Sequence, residues 1–297
     1  MRFSLYFSVS FLCLFFNFIS AHAQVSVPDA QGKMFHLEKP AQRIISLSPH
    51  LTEILFAAGA GEKTIAAVSY SNWPPQAKKL PVIGDGNNMN LELIAKFNPD
   101  LILAWQSGNR DSQLTQLHAL GFPVYVSEPQ KIEDIATLIR NVGILADTSL
   151  VADKEADVFI NKINRLKQQY SQLPIVTTFY EAWNHPLITV NGQHMISDVI
   201  HLCGGKNIFD TMPQLSAAVN TESVLQANPE VIIASGMAEE KPEWLDDWRK
   251  WPQLVAVEKN NLFFLPPDII QRQTPRIIQG AEKICEFLQQ ARTKRAQ

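Results

Sequence analysis

Apolar residues along this chain alternate between short unbroken runs and spacings of three and four, the marks of buried strands and one-sided helices. The stretch "RIISLSPHLTEILFAAGAG" (43–61) holds both within nineteen residues. Ile44 to Leu47 read as a buried strand. Ser48 stands at a helix N-cap, where a hydroxyl can satisfy an orphan N–H, and Pro49 fits the first turn because its missing N–H has no partner there. Leu51, Ile54, Leu55 and Ala58 then carry helical spacing, and Gly59 supplies a left-handed stop. His50 falls at a strand-to-helix turn, on the side of an open α/β sheet where ligands collect.

The same alternation continues. Strands are predicted over 64–69, 100–105 and 123–127, and helices over 91–97, 112–120 and 132–146. That order describes a parallel sheet covered by helices. Over 148–170, Ala152, Ala156, Phe159, Ile163, Leu166 and Tyr170 form one apolar stripe on a long helix. A second alternation follows: strand 175–180, helices 196–203 and 221–227, strand 230–235, helix 243–251, strand 262–266 and helix 275–292. The predicted class is α/β, with two lobes of mostly parallel sheet flanked by helices. Residues 24–147 and 172–297 form the lobes, and one long rigid helix over 148–171 bridges them.

An internal repeat supports two related lobes. "NLELIAKFNPDLILAW" (90–105) and "NTESVLQANPEVIIAS" (220–235) align without gaps, sharing Asn90/Asn220, Glu92/Glu222, Asn98/Asn228, Pro99/Pro229 and Ala104/Ala234. Each copy reads as a short helix, an Asn-Pro turn and a buried strand. That construction does not require the shared glutamate, beyond the modest benefit of a carboxylate at a helix N-terminus. Each lobe is therefore expected to present one exposed carboxylate, Glu92 or Glu222, at an equivalent helix start.

Arg2, the apolar run from Phe3 to Ile19 and the small-x-small triplet Ala21-His22-Ala23 mark residues 1–23 as a cleaved export signal rather than an anchor. Its loss leaves 25 Lys and Arg against 29 Asp and Glu, with the basic residues scattered. Nucleic-acid binding needs a clustered cationic face, so that class is excluded. Cys203 and Cys285 are the cysteines outside the signal. In an exported chain an isolated pair reads as a disulfide, with two buried free thiols as the alternative.

There is no GxSxG elbow, no Walker loop and no GxGxxG after a strand. The seven His form neither HxxxH nor HExxH, so no metal site and no cofactor are expected; His194 and His201 read as solvating one helix face. Nothing pairs a nucleophile with a base. The chain therefore reads as a binding protein and not an enzyme, the alternative being an exported α/β enzyme acting through a cleft acid such as Asp268. Strand-end loops instead carry rings and polar groups: Tyr70 and Trp73 in "SYSNWPP", Trp105 in "AWQSGNRD", Tyr180, Trp183 and His185 in "FYEAWNHP", Asp268 and Arg272 in "PPDIIQRQTPR". Gathered at the carboxyl ends of strands in both lobes, they suit a cleft for a large, flat, partly apolar ligand.

"RIISLSPHLTEILFAAG", "SYSNWPPQAKK", "MNLELIAKFNPDLILAW", "LCGGKNIFD", "TESVLQANPEVII" and "TPRIIQGAEKIC" together resemble the helical-backbone class of periplasmic substrate-binding proteins that feed ABC importers. The "SYS" and "CGG" segments and the Cys pair lean toward its cobalamin-binding branch. The resemblance implies a periplasmic protein delivering cobalamin or a related corrinoid to a permease and ATPase complex in the inner membrane. It makes Glu92 and Glu222 permease-docking carboxylates and places Tyr70, Trp105, Asp268 and Arg272 around the corrinoid. Cys203 and Cys285 match the family's disulfide. Gly86 and Ser216 stand where that branch carries Trp, and Trp183 is the ring placed to compensate. His50 replaces a small residue, and its neutral imidazole suits axial coordination of cobalt or iron. A haem or iron-siderophore binder of the same class is the alternative, with Arg272 pairing to a carboxylate or catecholate.

Overall fold

The computed structural model describes residues 24–236 and 241–295; the predicted export signal lies outside them. A hairpin of β1 (Val25–Pro28) and β2 (Met34–Leu37) precedes the first lobe. That lobe holds β3 (Ile44–Ser46), α1 (Pro49–Ala57), β4 (Thr64–Ala67), α2 (Leu91–Phe97), β5 (Leu101–Trp105), α3 (Asp111–Ala119), β6 (Val124–Ser127) and α4 (Asp134–Leu145). Its sheet is fully parallel, in the order β4-β3-β5-β6. Helix α5 (Ser149–Tyr170) crosses to the second lobe.

The second lobe contains β7 (Val176–Glu181), β8 (Trp183–Asn184), β9 (Leu187–Val190), α6 (Met195–Leu202), β10 (Gly205–Asn207), β11 (Ser216–Ala218), α7 (Thr221–Ala227), β12 (Val231–Ala234), α8 (Val255–Glu258), β13 (Leu262–Phe264) and α9 (Ile277–Lys294). Its main sheet is also parallel, ordered β10-β7-β12-β13. Counted within each lobe, both sheets wind in the order second, first, third, fourth. The fold is thus α/β in two lobes, as expected.

The repeat is visible in atomic detail. Asn90 Oδ1 accepts from Leu93 N at 2.9 Å, and Asn220 Oδ1 accepts from Ser223 N at 2.8 Å. Asn98 and Asn228 close the two helices in the left-handed conformation, with φ of 46° and 43°. Asparagine tolerates that region better than most residues. The acids after the two Asn-Pro turns also correspond. Asp100 accepts from Arg43 N at 2.8 Å, and Glu230 accepts from Thr177 N at 3.1 Å. Each ties the start of its lobe's third sheet strand to the first.

Twenty-two residues give α5 a length of about 33 Å. Ala152, Ala156, Phe159 and Ile163 are buried along it, while Leu166 and Tyr170 pack at its edge, so the predicted stripe faces the core. It packs on α4 of the first lobe and on α6 and α9 of the second, and one apolar cluster runs through all of them. Burying Phe159 and Ile163 alone is worth roughly 1.5–3 kcal/mol each. A Cys203–Cys285 disulfide joins α6 to α9, selecting the first of the two readings of that pair.

Three local readings are corrected. Ser48 occupies the N-cap of α1 but its side chain makes no cap hydrogen bond, because its hydroxyl is committed to His50. Residues Glu243–Lys250 form a 3₁₀ helix rather than an α-helix, opened by Pro242, and its buried Leu245 and Trp248 stand three apart, the spacing that lines up on one side of a 3₁₀ turn. Residues 183–190 and 216–218, for which the periodicity predicts no strand, form a three-stranded antiparallel sheet in the order β11-β9-β8.

Candidate functional site

A cleft of about 730 Å³ opens where the carboxyl ends of the two parallel sheets face each other. Trp105 and Ser107 line it from the end of β5, with Glu128, Pro129 and Gln130 after β6. The second lobe contributes Tyr180 and Trp183 around the end of β7, the small sheet through Ile188, Val190 and Ser216, and the start of α6 through His194 to Ile196. Gln271 and Gln273 close one side ahead of α9.

Trp105 is held by its neighbours. Asn109 Oδ1 accepts from Trp105 N at 2.8 Å, while its Nδ2 donates to the carbonyls of Leu47 (2.9 Å) and Gly86 (3.0 Å). One amide thereby fastens three loops at the cleft edge. The ring lies so close to Gly108 that a Cβ there would approach it to 1.8 Å, so any larger residue displaces the indole. Gly86 is different: a Cβ would meet only ordinary contacts.

His50 sits behind this ring, not in solvent. Its imidazole meets Trp105 edge-on at 4.9 Å, and Nδ1 lies 2.6 Å from Ser48 Oγ. Burial strips water from the imidazolium, and the charge of Arg272 adds to the effect; together they hold the His50 pKa down to about 3. The ring is neutral at any physiological pH. His194 is also neutral, pushed down to about 4 by burial, and its Nδ1 caps α6 by accepting from Ile196 N at 3.1 Å. It caps the helix rather than solvating its face, whereas His201 lies 3.2 Å from Asp210.

Asp268 and Arg272 are not among the cleft-lining residues. They belong to an ion-pair cluster that joins the lobes. Glu53, on α1 and only 2% exposed at its side chain, accepts from Arg272 at 2.9 Å and from Arg276 Nε and Nη2 at 2.8 and 2.7 Å. Asp268 pairs with Arg272 at 2.8 Å. Arg272 also donates to Asn72 Oδ1 at 2.8 Å and to the Tyr70 carbonyl at 3.3 Å. Tyr70 is 79% exposed at a φ of 66°, a conformation costly for a bulky residue unless its surroundings hold it. Arg276 stacks its guanidinium over Trp73, 4.9 Å from the ring centre.

The structure therefore brings Trp105 and Trp183 together in the cleft, sets His50 behind Trp105, and places Tyr70, Asp268 and Arg272 at a neighbouring inter-lobe junction. Glu92 and Glu222 lie in the first turns of α2 and α7, exposed at the equivalent point of each lobe. Sequence reasoning missed Asn109, Glu53 and the cleft glutamines. Glu53 falls off the apolar stripe of α1, and glutamines carry no local signature.

Known proteins share this fold. The family model described as periplasmic binding protein matches residues 44–269. A curated vitamin B12-binding protein of Vibrio cholerae serotype O1 is 37% identical over 250 residues, covering 84% of this chain and 90% of its own length. The crystal structure of the periplasmic vitamin B12 binding protein BtuF of Vibrio cholerae superposes with a TM-score of 0.78 at 36% identity, over 85% of this chain and 98% of that one. The periplasmic haem-binding protein RhuT of Roseiflexus sp. RS-1 shares the fold, with a TM-score of 0.72 at 21% identity over 84% and 99% of the two chains.

Proposed function

The chain belongs to the periplasmic binding protein family, and on that premise we propose that it captures cobalamin or a related corrinoid in the periplasm and delivers it to an ABC importer in the inner membrane. The observation that carries the choice of ligand is the polarity of the cleft. Trp105 and Trp183 offer ring platforms, and Gln130, Gln193, Gln271 and Gln273 offer amides that both donate and accept. Among the described residues no Lys or Arg lines the cleft, and its two-lobed wall holds His194 in the neutral state. A neutral ring edged with carboxamides finds complementary partners there. Haem propionates or a catecholate would be desolvated without a cation, which is costly.

Arg272, the cation that an anionic ligand would need, is already shared by Glu53 and Asp268. We assign it a positioning role: it fastens the Tyr70 carbonyl and so fixes the exposed ring at the cleft's flank. Trp183 stands in for the ring that Ser216 lacks, since β8 and β11 flank the same strand and both residues line the cleft. His50 contributes neutral packing behind Trp105.

Glu92 and Glu222 would engage the permease, one from each pseudo-symmetric lobe. Corrinoid uptake into vesicles containing the permease and ATPase tests this. Glu92→Ala with Glu222→Ala should abolish protein-dependent uptake and leave corrinoid affinity unchanged. Uptake retained in the double variant would refute the docking role, and affinity lost with it would move these acids into the ligand site.

A further inference from the structure

A second cavity, of about 450 Å³, lies on the other side of the β8–β9 hairpin. Strand alternation makes that hairpin a partition. Trp183 and Ile188 face the ligand cleft, while Asn184 and Leu187 face the second cavity. Trp244, Trp248 and Trp251 form indole walls, and Trp183 meets Trp244 across the partition at 6.5 Å between ring centres.

Glu181 also lines this cavity, although the residue is only 2% exposed. One carboxyl oxygen accepts from Trp248 Nε1 at 2.7 Å, and no Lys or Arg among the described residues pairs with it. The fold does not ask for a carboxyl here. Ile44 pairs with Leu101 as Thr178 pairs with Val231, so the pseudo-symmetric counterpart of Glu181 is Leu47, an ordinary core residue. Burying a carboxyl where an apolar side chain serves is costly unless something compensates. The other titratable groups facing the cavity are Glu222, Asp247, His185 and Lys250, and the lysine is taken by Asp247 at 2.7 Å. Indole faces attract cations, and acids outnumber bases around the space.

We propose that this second cavity binds a small organic ammonium ion, with Glu181 as its buried counter-charge and the three indoles as its walls. Glu181 is held protonated when the cavity is free of a cation, because burial pushes its carboxyl up to about 8 and the neighbouring Asp247 adds to the rise. A bound cation favours the carboxylate, so binding at neutral pH releases a proton. The site stands whether or not the cleft takes a corrinoid.

Calorimetric titration with choline, run in two buffers of different ionisation enthalpy at neutral pH, tests the site, with 3,3-dimethylbutan-1-ol as the uncharged isostere. Choline should saturate one site and release a proton, and the isostere should not bind. Glu181→Gln should weaken choline at least about tenfold, or roughly 1.4 kcal/mol, and remove the proton release. Trp244→Ala, at a half-buried wall position, should weaken it too and keeps the test decisive if the Glu181 variant fails to fold. No saturation by choline, equal binding of the isostere, or choline binding indifferent to both substitutions would overturn the proposal. Cyanocobalamin titrated in parallel separates the two sites, since its loss in the unsubstituted protein would count against the cleft assignment alone.

Discussion

Glu53→Gln removes one negative charge from the junction between the lobes and little else. The wild-type carboxylate is 2% exposed and receives three hydrogen bonds of 2.7–2.9 Å from Arg272 and Arg276, whose side chains are each 15% exposed. Neutralising one member of a buried ion-pair network costs about 3–5 kcal/mol, because the remaining charges stay desolvated. Asp268 still pairs with Arg272 at 2.8 Å and lies 3.6 Å from Arg276, which places the expected loss at the lower end, about 3 kcal/mol. At roughly 2–4 °C per kcal/mol for a chain of this size, the melting temperature should fall by about 6–12 °C. Little of this should vanish at high salt, since the pairs are shielded from solvent. Guanidinium and thermal unfolding both read it. Arg276→Met made alone and with Glu53→Gln completes a double-mutant cycle, in which the pair should couple by about 1–3 kcal/mol. A shift under about 2 °C with no coupling would refute the claim that this network joins the lobes.

Trp105→Ala should cost about 2 kcal/mol of corrinoid binding, roughly thirtyfold, and Gly108→Ala should weaken it by displacing the same ring without removing it; equal affinities in calorimetry would remove Trp105 from the ligand site. Gln193→Arg supplies the missing cleft cation and should strengthen haemin binding about fivefold while weakening corrinoids, as read by absorbance titration; unchanged selectivity would deny the polarity argument. The carboxyl of Glu181 titrates higher in the folded chain than in the unfolded one, so the native state holds the extra proton and stability falls as pH rises toward about 8. Across melts between pH 6.5 and 8.5 the residual contributions of His50 and His194, which fade as pH rises past the ordinary imidazole value of about 6.5, are common to both proteins and cancel. Glu181→Gln should therefore lose less stability than wild type, by up to about 1.4 kcal/mol per pH unit; parallel curves would contradict the buried, protonated carboxyl.

The parallel sheets, the bridging helix and the paired lobes were legible because local periodicity and the Asn-Pro repeat act over short distances. Ala152, Ala156, Phe159 and Ile163 announced the buried face of α5 directly. The small sheet was not legible, since β8 is two residues long and β11 three, too short to show alternation. The apolar run Leu187–Val190 between Pro186 and Asn191-Gly192 was the one local signal for β9. The roles of Asp268 and Arg272 depended on Glu53, more than 200 residues away in sequence, and no local pattern reports such a partner. The burial of His50 was hidden because a helix start in the middle of a chain is usually solvated, whereas here the Trp105 ring packs against it and Ser48 holds its Nδ1. Glu181 did leave a trace: a carboxyl ending the apolar strand run "VTTFYE" is a charge placed where burial is expected.

The most direct measurement is calorimetric titration of the protein with cyanocobalamin, cobinamide, haemin and a set of ferric siderophores. The account predicts saturable one-to-one binding of the corrinoids alone, taken up by a cleft rich in amides and without a cation. Saturable haemin or siderophore binding without corrinoid binding would contradict it.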